Sequence, residues 1–132
     1  MNKFQKRIAK NIKKSPIDCL IIGNGFGRFE DFLEMFSTVF LLNSNLEKKA
    51  INLVHRKDVK AVYDLRHIGG IFLDLNEIEI IDSLSPLLTR TWPDIFIEGN
   101  TVIERKYSKT LYQLGYRAIS QLGECHQWSK VQ

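Results

Sequence analysis

The chain has 132 residues, of which 44% are hydrophobic, so it has the size of one domain that buries about two-thirds of its unfolded surface. No apolar run reaches the roughly 18 residues that a membrane-spanning helix needs, and the lysine-containing N-terminus lacks the apolar segment of a signal peptide. We therefore expect a cytoplasmic protein without a membrane span.

The two cysteines give no sign of a disulfide framework. Cys19 and Cys125 lie far apart, without metal-ligand or redox spacing, and Cys19 falls inside a predicted buried strand. His55 and His67 have no partners at metal-ligand spacing either. The sequence predicts no metal site.

The net charge of +4 is concentrated at the N-terminus. Residues 1–15 hold six lysines and arginines and no acidic residue, and Phe4, Ile8 and Ile12 recur at a spacing of four. This pattern predicts a basic helix before an α/β domain over residues 16–132. The helix is either a contact for nucleic acid or another anionic surface, or a solvated helix that docks through its apolar stripe, which we favour.

The first predicted unit of the domain is a strand, a turn and a helix. Residues 17–22 form a nearly continuous apolar run, which is typical of a strand buried on both faces in a parallel sheet. The glycine-rich turn Gly23-Asn24-Gly25-Phe26-Gly27 follows. Residues 29–36 then place their large apolar side chains on one helical face.

A second strand is predicted at residues 38–42. The polar residues 43–45 indicate the start of a helix that includes Leu46 and Ala50.

A weaker third strand at residues 51–55 precedes Asp58, which is suited to cap a helix over residues 59–66. The two glycines at 69–70 predict a break, after which a fourth strand covers residues 71–74.

Helical spacing of apolar residues predicts a helix over residues 77–91, which Pro86 kinks or restarts. Pro93 resets the chain for a fifth strand at residues 94–98.

The last predicted helix covers residues 102–114 and ends at Gly115, a residue suited to a left-handed C-terminal cap. Residues 116–121 and 125–131 predict an antiparallel hairpin. The alternation of strands and helices predicts a Rossmann-like, mostly parallel sheet with helices on both faces and a C-terminal antiparallel hairpin.

Ligands of such sheets bind beyond the carboxyl ends of the strands, where Gly23, Asn43, Asp74 and Glu98 would converge. The glycines are spaced G-x-G-x-G, with Arg28 where a dinucleotide fingerprint needs glycine or alanine, and no P-loop lysine follows. A tight turn needs glycines even without a ligand, so both interpretations of the turn stay open.

The order of the strand-end motifs resembles the class I S-adenosylmethionine-dependent methyltransferases, and among them the FkbM family. The resemblance covers about residues 17–131. It is carried by five segments: IIGNGFG (21–27), VFLLNSN (39–45), DLNEIE (74–79, similar to Asp-Val-Glu-Gly-x-Glu), PDIFIE (93–98) and the leucine-to-Gly-Tyr segment 111–116.

This resemblance implies S-adenosylmethionine as cofactor and methyl transfer to an oxygen or nitrogen of an unidentified substrate, most simply a small molecule or sugar. Asp74 is the first catalytic candidate, Glu98 the second and His126 an alternative base that we expect to be a packed or surface residue. The implied cofactor-binding residues are Gly23, Asn24, Gly25, Gly27, Asn43 and Asp58, although we favour the capping role for Asp58.

The sequence departs from the family at two positions. Ile21 stands where an acidic residue usually helps to hold the methionine end of the cofactor, and Asn43 stands where a carboxylate usually accepts hydrogen bonds from both ribose hydroxyls. An amide lacks the charge-assisted strength of that carboxylate. A catalytically inactive binding module with the same fold, associated with nucleic acid through its basic helix, is therefore the alternative.

Nearly every residue is assigned to the sheet or its helices, which leaves almost no sequence for a substrate-binding lid. Substrate selectivity would then come from short loops, the N-terminal helix or another subunit, so a homo-oligomer is one expected arrangement.

Overall fold

The computed structural model describes residues 18–24, 33–47, 52–98, 105–122 and 125–131. The strands in these ranges form one seven-stranded sheet. The strand order is β3-β2-β1-β4-β5-β7-β6. The strands are β1 (Asp18–Ile22), β2 (Val39–Leu42), β3 (Leu53–Arg56), β4 (Ile68–Asp74), β5 (Asp94–Glu98), β6 (Tyr116–Leu122) and β7 (Cys125–Lys130).

The first five strands are mutually parallel, whereas β7 runs antiparallel to both β5 and β6. The prediction of an α/β fold with a mostly parallel sheet and a C-terminal antiparallel hairpin is therefore confirmed. The boundaries of β5 are those predicted, and β1 ends at Ile22 as predicted.

Four helical segments pack on one face of the sheet in the described part of the chain. They are the 3₁₀ helices η1 (Val59–Val62) and η2 (Leu75–Ser83) and the α-helices α1 (Ser85–Thr91) and α2 (Arg105–Gln113). Their apolar residues join the larger hydrophobic cluster. The opposite face is lined by Leu33, Phe36 and Leu46. Helices on both faces thus remain a prediction. None of these helices is long and apolar enough to cross a membrane.

Strand β1 is buried on both faces because it lies between β2 and β4. Leu20 and Ile22 pack into the cluster beneath the helices, while Cys19 and Ile21 pack into the cluster on the opposite face. This alternation accounts for the continuous apolar run in the sequence. Burial raises the pKa of the Cys19 thiol, with a smaller contribution from Asp18, so this cysteine stays protonated and unreactive.

The predicted break at Gly69 and Gly70 is wrong, because both glycines lie inside β4. Asp18 pairs with Ile68 but Cys19 pairs with Gly70, so Gly69 is an extra residue that shifts the register. Glycine inside a strand often marks such a bulge. Strand β4 therefore starts three residues earlier than the fourth strand predicted from the sequence.

Three predicted helices differ from the structure in length, continuity or position. Only the single 3₁₀ turn η1 forms after Asp58, and the helix predicted over residues 77–91 is divided at Leu84, with Pro86 in the first turn of α1. The proline restart is thus confirmed. Leu46 is not helical: its N–H donates to Ser44 Oγ (3.4 Å) in an irregular segment.

Several predictions concern residues outside the described ranges. These are the basic helix at residues 1–15, Gly25 and Gly27 of the glycine turn, the first part of the helix at 29–36, the helix around Ala50 and the residues 102–104.

A buried polar cluster joins the hairpin to the parallel part of the sheet. The Asp94 carboxylate accepts hydrogen bonds from Ser129 Oγ (2.6 Å) and Gln127 Nε2 (3.5 Å), and Gln127 Oε1 accepts one from Ser120 Oγ (2.8 Å). Asp94 and Gln127 are both buried. Because buried polar groups are stable only when they are hydrogen-bonded, this cluster fixes how β7 and β6 dock against β5.

Tyr116 closes the same end of the sheet. Its hydroxyl donates to the Pro93 carbonyl oxygen (2.8 Å), and its side chain is fully buried. Burial, and to a lesser extent the Asp94 carboxylate, raises the pKa of Tyr116 well above its ordinary value. The tyrosine therefore stays neutral and holds the start of β6 against the end of α1.

Candidate functional site

The carboxyl ends of the parallel strands meet at one edge of the sheet, which we call the strand-end site. Ile22 at the end of β1 pairs with Leu42 of β2 and with Leu73 of β4, and Asp74 pairs with Glu98. The residues that follow β1 and β2 therefore lie beside the end of β4. The structure brings Gly23, Asn43, Asp74 and Glu77 together at this edge.

The protein atoms around position 23 leave room only for glycine. It has φ +96°, and its N–H donates to the Leu42 carbonyl (3.1 Å). A Cβ atom at Gly23 would lie 2.5 Å from Asp74 Cβ and 3.2 Å from Glu77 Cγ. Any side chain would therefore clash with Asp74, which explains this glycine without a ligand.

Asn43 is linked to a residue that the sequence interpretation did not single out, Glu77. Asn43 has a left-handed backbone (φ 53°), and its Nδ2 donates to Glu77 Oε2 (3.4 Å). Glu77 lies at a kink inside η2 (φ −107°, ψ 17°), three residues after the end of β4. The only sequence signal for it is its place in the acidic segment 74–79, where the FkbM pattern has glycine.

Asn24 stabilises the loops at the edge. Its Oδ1 accepts a hydrogen bond from the backbone N–H of Asn45 (2.8 Å), which ties the turn after β1 to the turn after β2. The Asn24 side chain thus holds the two turns together. A ligand bound at this position would contact the backbone of Asn24.

Asp74, the first catalytic candidate, is held in a fixed orientation. Its Oδ1 accepts from the backbone N–H of Asn76 (3.0 Å), so the carboxylate caps η2 while remaining half-buried at the strand-end site. Glu98, also half-buried, pairs in register with Asp74 on one side and with Cys125 on the other. The two candidate carboxylates therefore end adjacent strands.

Asp58 is the N-cap of η1, as favoured from the sequence. Its Oδ1 accepts from the backbone N–H of Ala61 (3.1 Å), and its side chain is exposed. This capping bond accounts for the aspartate without a cofactor.

Arg56 ends the edge strand β3. Its guanidinium lies over the Phe40 ring (5.2 Å to the centroid), and its buried Nε has no hydrogen-bond partner among the described residues. The cation–π contact with Phe40 holds this side chain against the sheet.

His126 lies on β7 opposite Ile97, one residue from the pair formed by Cys125 and Glu98. It is half-buried in the sheet, as expected for a packed residue.

The strand-end site is lined mainly by hydrogen-bond acceptors. Asp74, Glu77 and Glu98 supply carboxylates, and Asn43 supplies an amide oxygen. Such groups suit a ligand that carries hydroxyl or ammonium donors, or a positive charge. Within the described ranges, no group of three or more histidine, cysteine, aspartate and glutamate side chains is arranged to hold a metal ion.

Comparison of the sequence with protein-family models and with curated proteins finds no match. The function of the strand-end site therefore has to follow from its residues and geometry.

Proposed function

We propose that this chain is a small class I methyltransferase-like protein that binds S-adenosylmethionine at the strand-end site and transfers its methyl group to an oxygen or nitrogen of an unidentified substrate. The observation that carries the proposal is the convergence of Asn43, Asp74 and Glu77 around Gly23. These acceptors meet beside the carboxyl ends of the adjacent strands β1 and β4.

The strand order supports this location. The order 3-2-1-4-5 of the parallel strands supports the Rossmann-like sheet that we propose. Strands β1 to β3 are added in one direction across the sheet, and the direction of addition reverses at β4. Ligands of such sheets bind in the crevice at that reversal. The antiparallel hairpin beside β5 agrees with the resemblance to class I methyltransferases drawn from the sequence.

The residues of the site fit the cofactor in charge and in hydrogen-bonding capacity. Acidic side chains favour a sulfonium cation and an ammonium group, and acceptor oxygens favour ribose hydroxyls. Asn43 would face the ribose hydroxyls, and Asp74 would face the charged methionine end. Bound S-adenosylmethionine would supply an electrophilic methyl group, which passes to an acceptor lone pair as the carbon–sulfur bond breaks and S-adenosylhomocysteine is left.

Asp74 is the residue that we assign to the reacting centre. The bond from the Asn76 N–H fixes one carboxylate oxygen, so the other is presented in a defined direction. That oxygen can orient an acceptor hydroxyl or amine and take its proton as the new bond forms. Glu98, at the end of the adjacent strand, is the second candidate for the same step.

One observation favours the alternative of an inactive binding module. Ile21 is almost fully buried in the cluster opposite the helices, so the strand residue that would carry an acid in the family contributes only to the core. An inactive module with intact cofactor binding would bind S-adenosylmethionine without transferring its methyl group to any acceptor.

Amide chemical-shift mapping by NMR tests the location of binding, since the protein is only 15.3 kDa. Titration with S-adenosylhomocysteine should shift the backbone amides of Gly23, Asn43 and Asp74 and leave those of the hairpin near Tyr116 unchanged. Shifts confined to the hairpin, or no shifts at all, would refute the proposal.

A further inference from the structure

The pair formed by Asn43 and Glu77 provides two oriented acceptors. The Asn43 amide donates to Glu77 through Nδ2, and the second polar atom of this amide, Oδ1, is a hydrogen-bond acceptor. The hydrogen bond between the two side chains uses only Asn43 Nδ2 and Glu77 Oε2, so Asn43 Oδ1 and Glu77 Oε1 can each accept a hydrogen bond from a ligand. The two side chains come from positions 34 residues apart, so their contact depends on the fold.

The backbone on both sides holds this pair in place. Asn43 adopts a left-handed conformation that directs the chain out of β2, and Glu77 lies at the kink of η2. Glu77 also lies beside Gly23, since a Cβ at Gly23 would be 3.2 Å from Glu77 Cγ. The hydrogen bond with Asn43 restricts the Glu77 carboxylate before a ligand binds, which lowers the conformational entropy lost on binding.

The two acceptors match a vicinal diol. A diol presents two hydroxyl donors on adjacent carbons, and a carboxylate with a neighbouring amide oxygen can accept one bond from each. The negative charge strengthens the bond to Glu77, which offsets the weakness of the neutral amide at Asn43.

We infer that Glu77 supplies the carboxylate that strand β2 lacks, and that Asn43 and Glu77 together bind the ribose hydroxyls of the nucleoside ligand. This inference rests on the proposed function, because it concerns the nucleoside part of the same cofactor. Glu77 acts as a binding residue, and the reacting centre remains at Asp74.

Calorimetric titration with S-adenosylhomocysteine tests the inference. Glu77→Gln keeps the shape of the side chain and should weaken binding about tenfold, because one charge-assisted hydrogen bond is lost. The control variant is Glu79→Gln, which changes an exposed glutamate in the same helix and should bind like the wild type.

A second comparison separates ribose binding from a structural effect. Adenosine should bind the wild type more tightly than 3′-deoxyadenosine, and this preference should shrink in Glu77→Gln. The swap variant Asn43→Asp/Glu77→Gln moves the carboxylate to the end of β2 and should restore both affinity and preference. Asn43→Asp alone should weaken binding, because it places two carboxylates side by side.

The outcomes distinguish the inference from the proposed function. If the wild type binds neither S-adenosylhomocysteine nor adenosine, the proposed function fails and the inference fails with it. If the wild type binds both while Glu77→Gln keeps full affinity and full preference for adenosine, only the inference is overturned. Circular dichroism and thermal unfolding of each variant verify that it is folded.

Discussion

Replacement of Gly23 by alanine tests the packing of the strand-end site. The substitution forces an alanine to φ +96°, which costs about 1–2 kcal/mol for an L-residue in a left-handed conformation. It also places Cβ 2.5 Å from Asp74 Cβ, an atom attached directly to the backbone at the end of β4. Overpacking of this kind costs about 1–3 kcal/mol, so we expect a total loss of about 3 kcal/mol.

Gly115→Ala is the matched control for this substitution. Gly115 has nearly the same backbone conformation (φ +93°), but its new Cβ would meet Lys130 Nζ, the end of a flexible, half-buried side chain that can move away at the cost of its contacts with the Val131 carbonyl and the Trp92 ring. The two substitutions therefore have a similar backbone cost and a similar effect on the entropy of the unfolded state. The difference in stability between them reports the contact of the new Cβ with Asp74. We expect Gly115→Ala to lose only about 1.5 kcal/mol.

Urea denaturation followed by circular dichroism measures both variants. We expect Gly23→Ala to be less stable than Gly115→Ala by about 1.5 kcal/mol, with similar m-values. Equal free energies of unfolding, within about 0.5 kcal/mol, would show that Asp74 does not pack against Gly23 and would refute the described geometry.

Three further predictions concern the rest of the fold. The pKa of Tyr116 is raised above its unfolded value of about 10, so its contribution to stability should be constant below that pH and decline above it. Tyr116→Phe should reduce the decline above pH 10 in urea titrations at successive pH values. Asp94→Ala should lose about 3 kcal/mol, since Ser129 and Gln127 lose their buried acceptor; a loss below 1 kcal/mol would argue against the polar cluster. Phe96→Ala, which removes a ring stacked on Phe72 (5.0 Å between centroids) in the sheet core, should lose about 4 kcal/mol in the same assay, and a surface-like effect would contradict its burial.

The strands were predictable from the sequence because burial of a strand requires a short run of apolar residues. Residues 17–22 and 94–98 are short apolar runs between turn signals, and they match β1 and β5 closely. The glycines of β4 were misinterpreted because a glycine pair signals a loop far more often than a bulge inside a central strand. Only the register against β1 reveals that bulge.

The strand-end site was predictable in part. Parallel strands end at a common edge, so the positions of Asn43 and Asp74 followed from the alternation of strands and helices. Glu77 was missed because its role depends on a kink inside a segment that the apolar spacing assigned to a regular helix. The meaning of Gly23 also depended on tertiary contacts, since the atoms that exclude a side chain there belong to β4 and η2.

Binding of the cofactor to the intact protein tests the central claim most directly. Isothermal titration calorimetry with S-adenosylmethionine and S-adenosylhomocysteine should give saturable binding of one molecule per chain, weakened by Glu77→Gln and unchanged by Glu79→Gln. Absence of detectable binding of either compound at ligand concentrations of about 1 mM would contradict the account, because a useful site must bind more tightly than that.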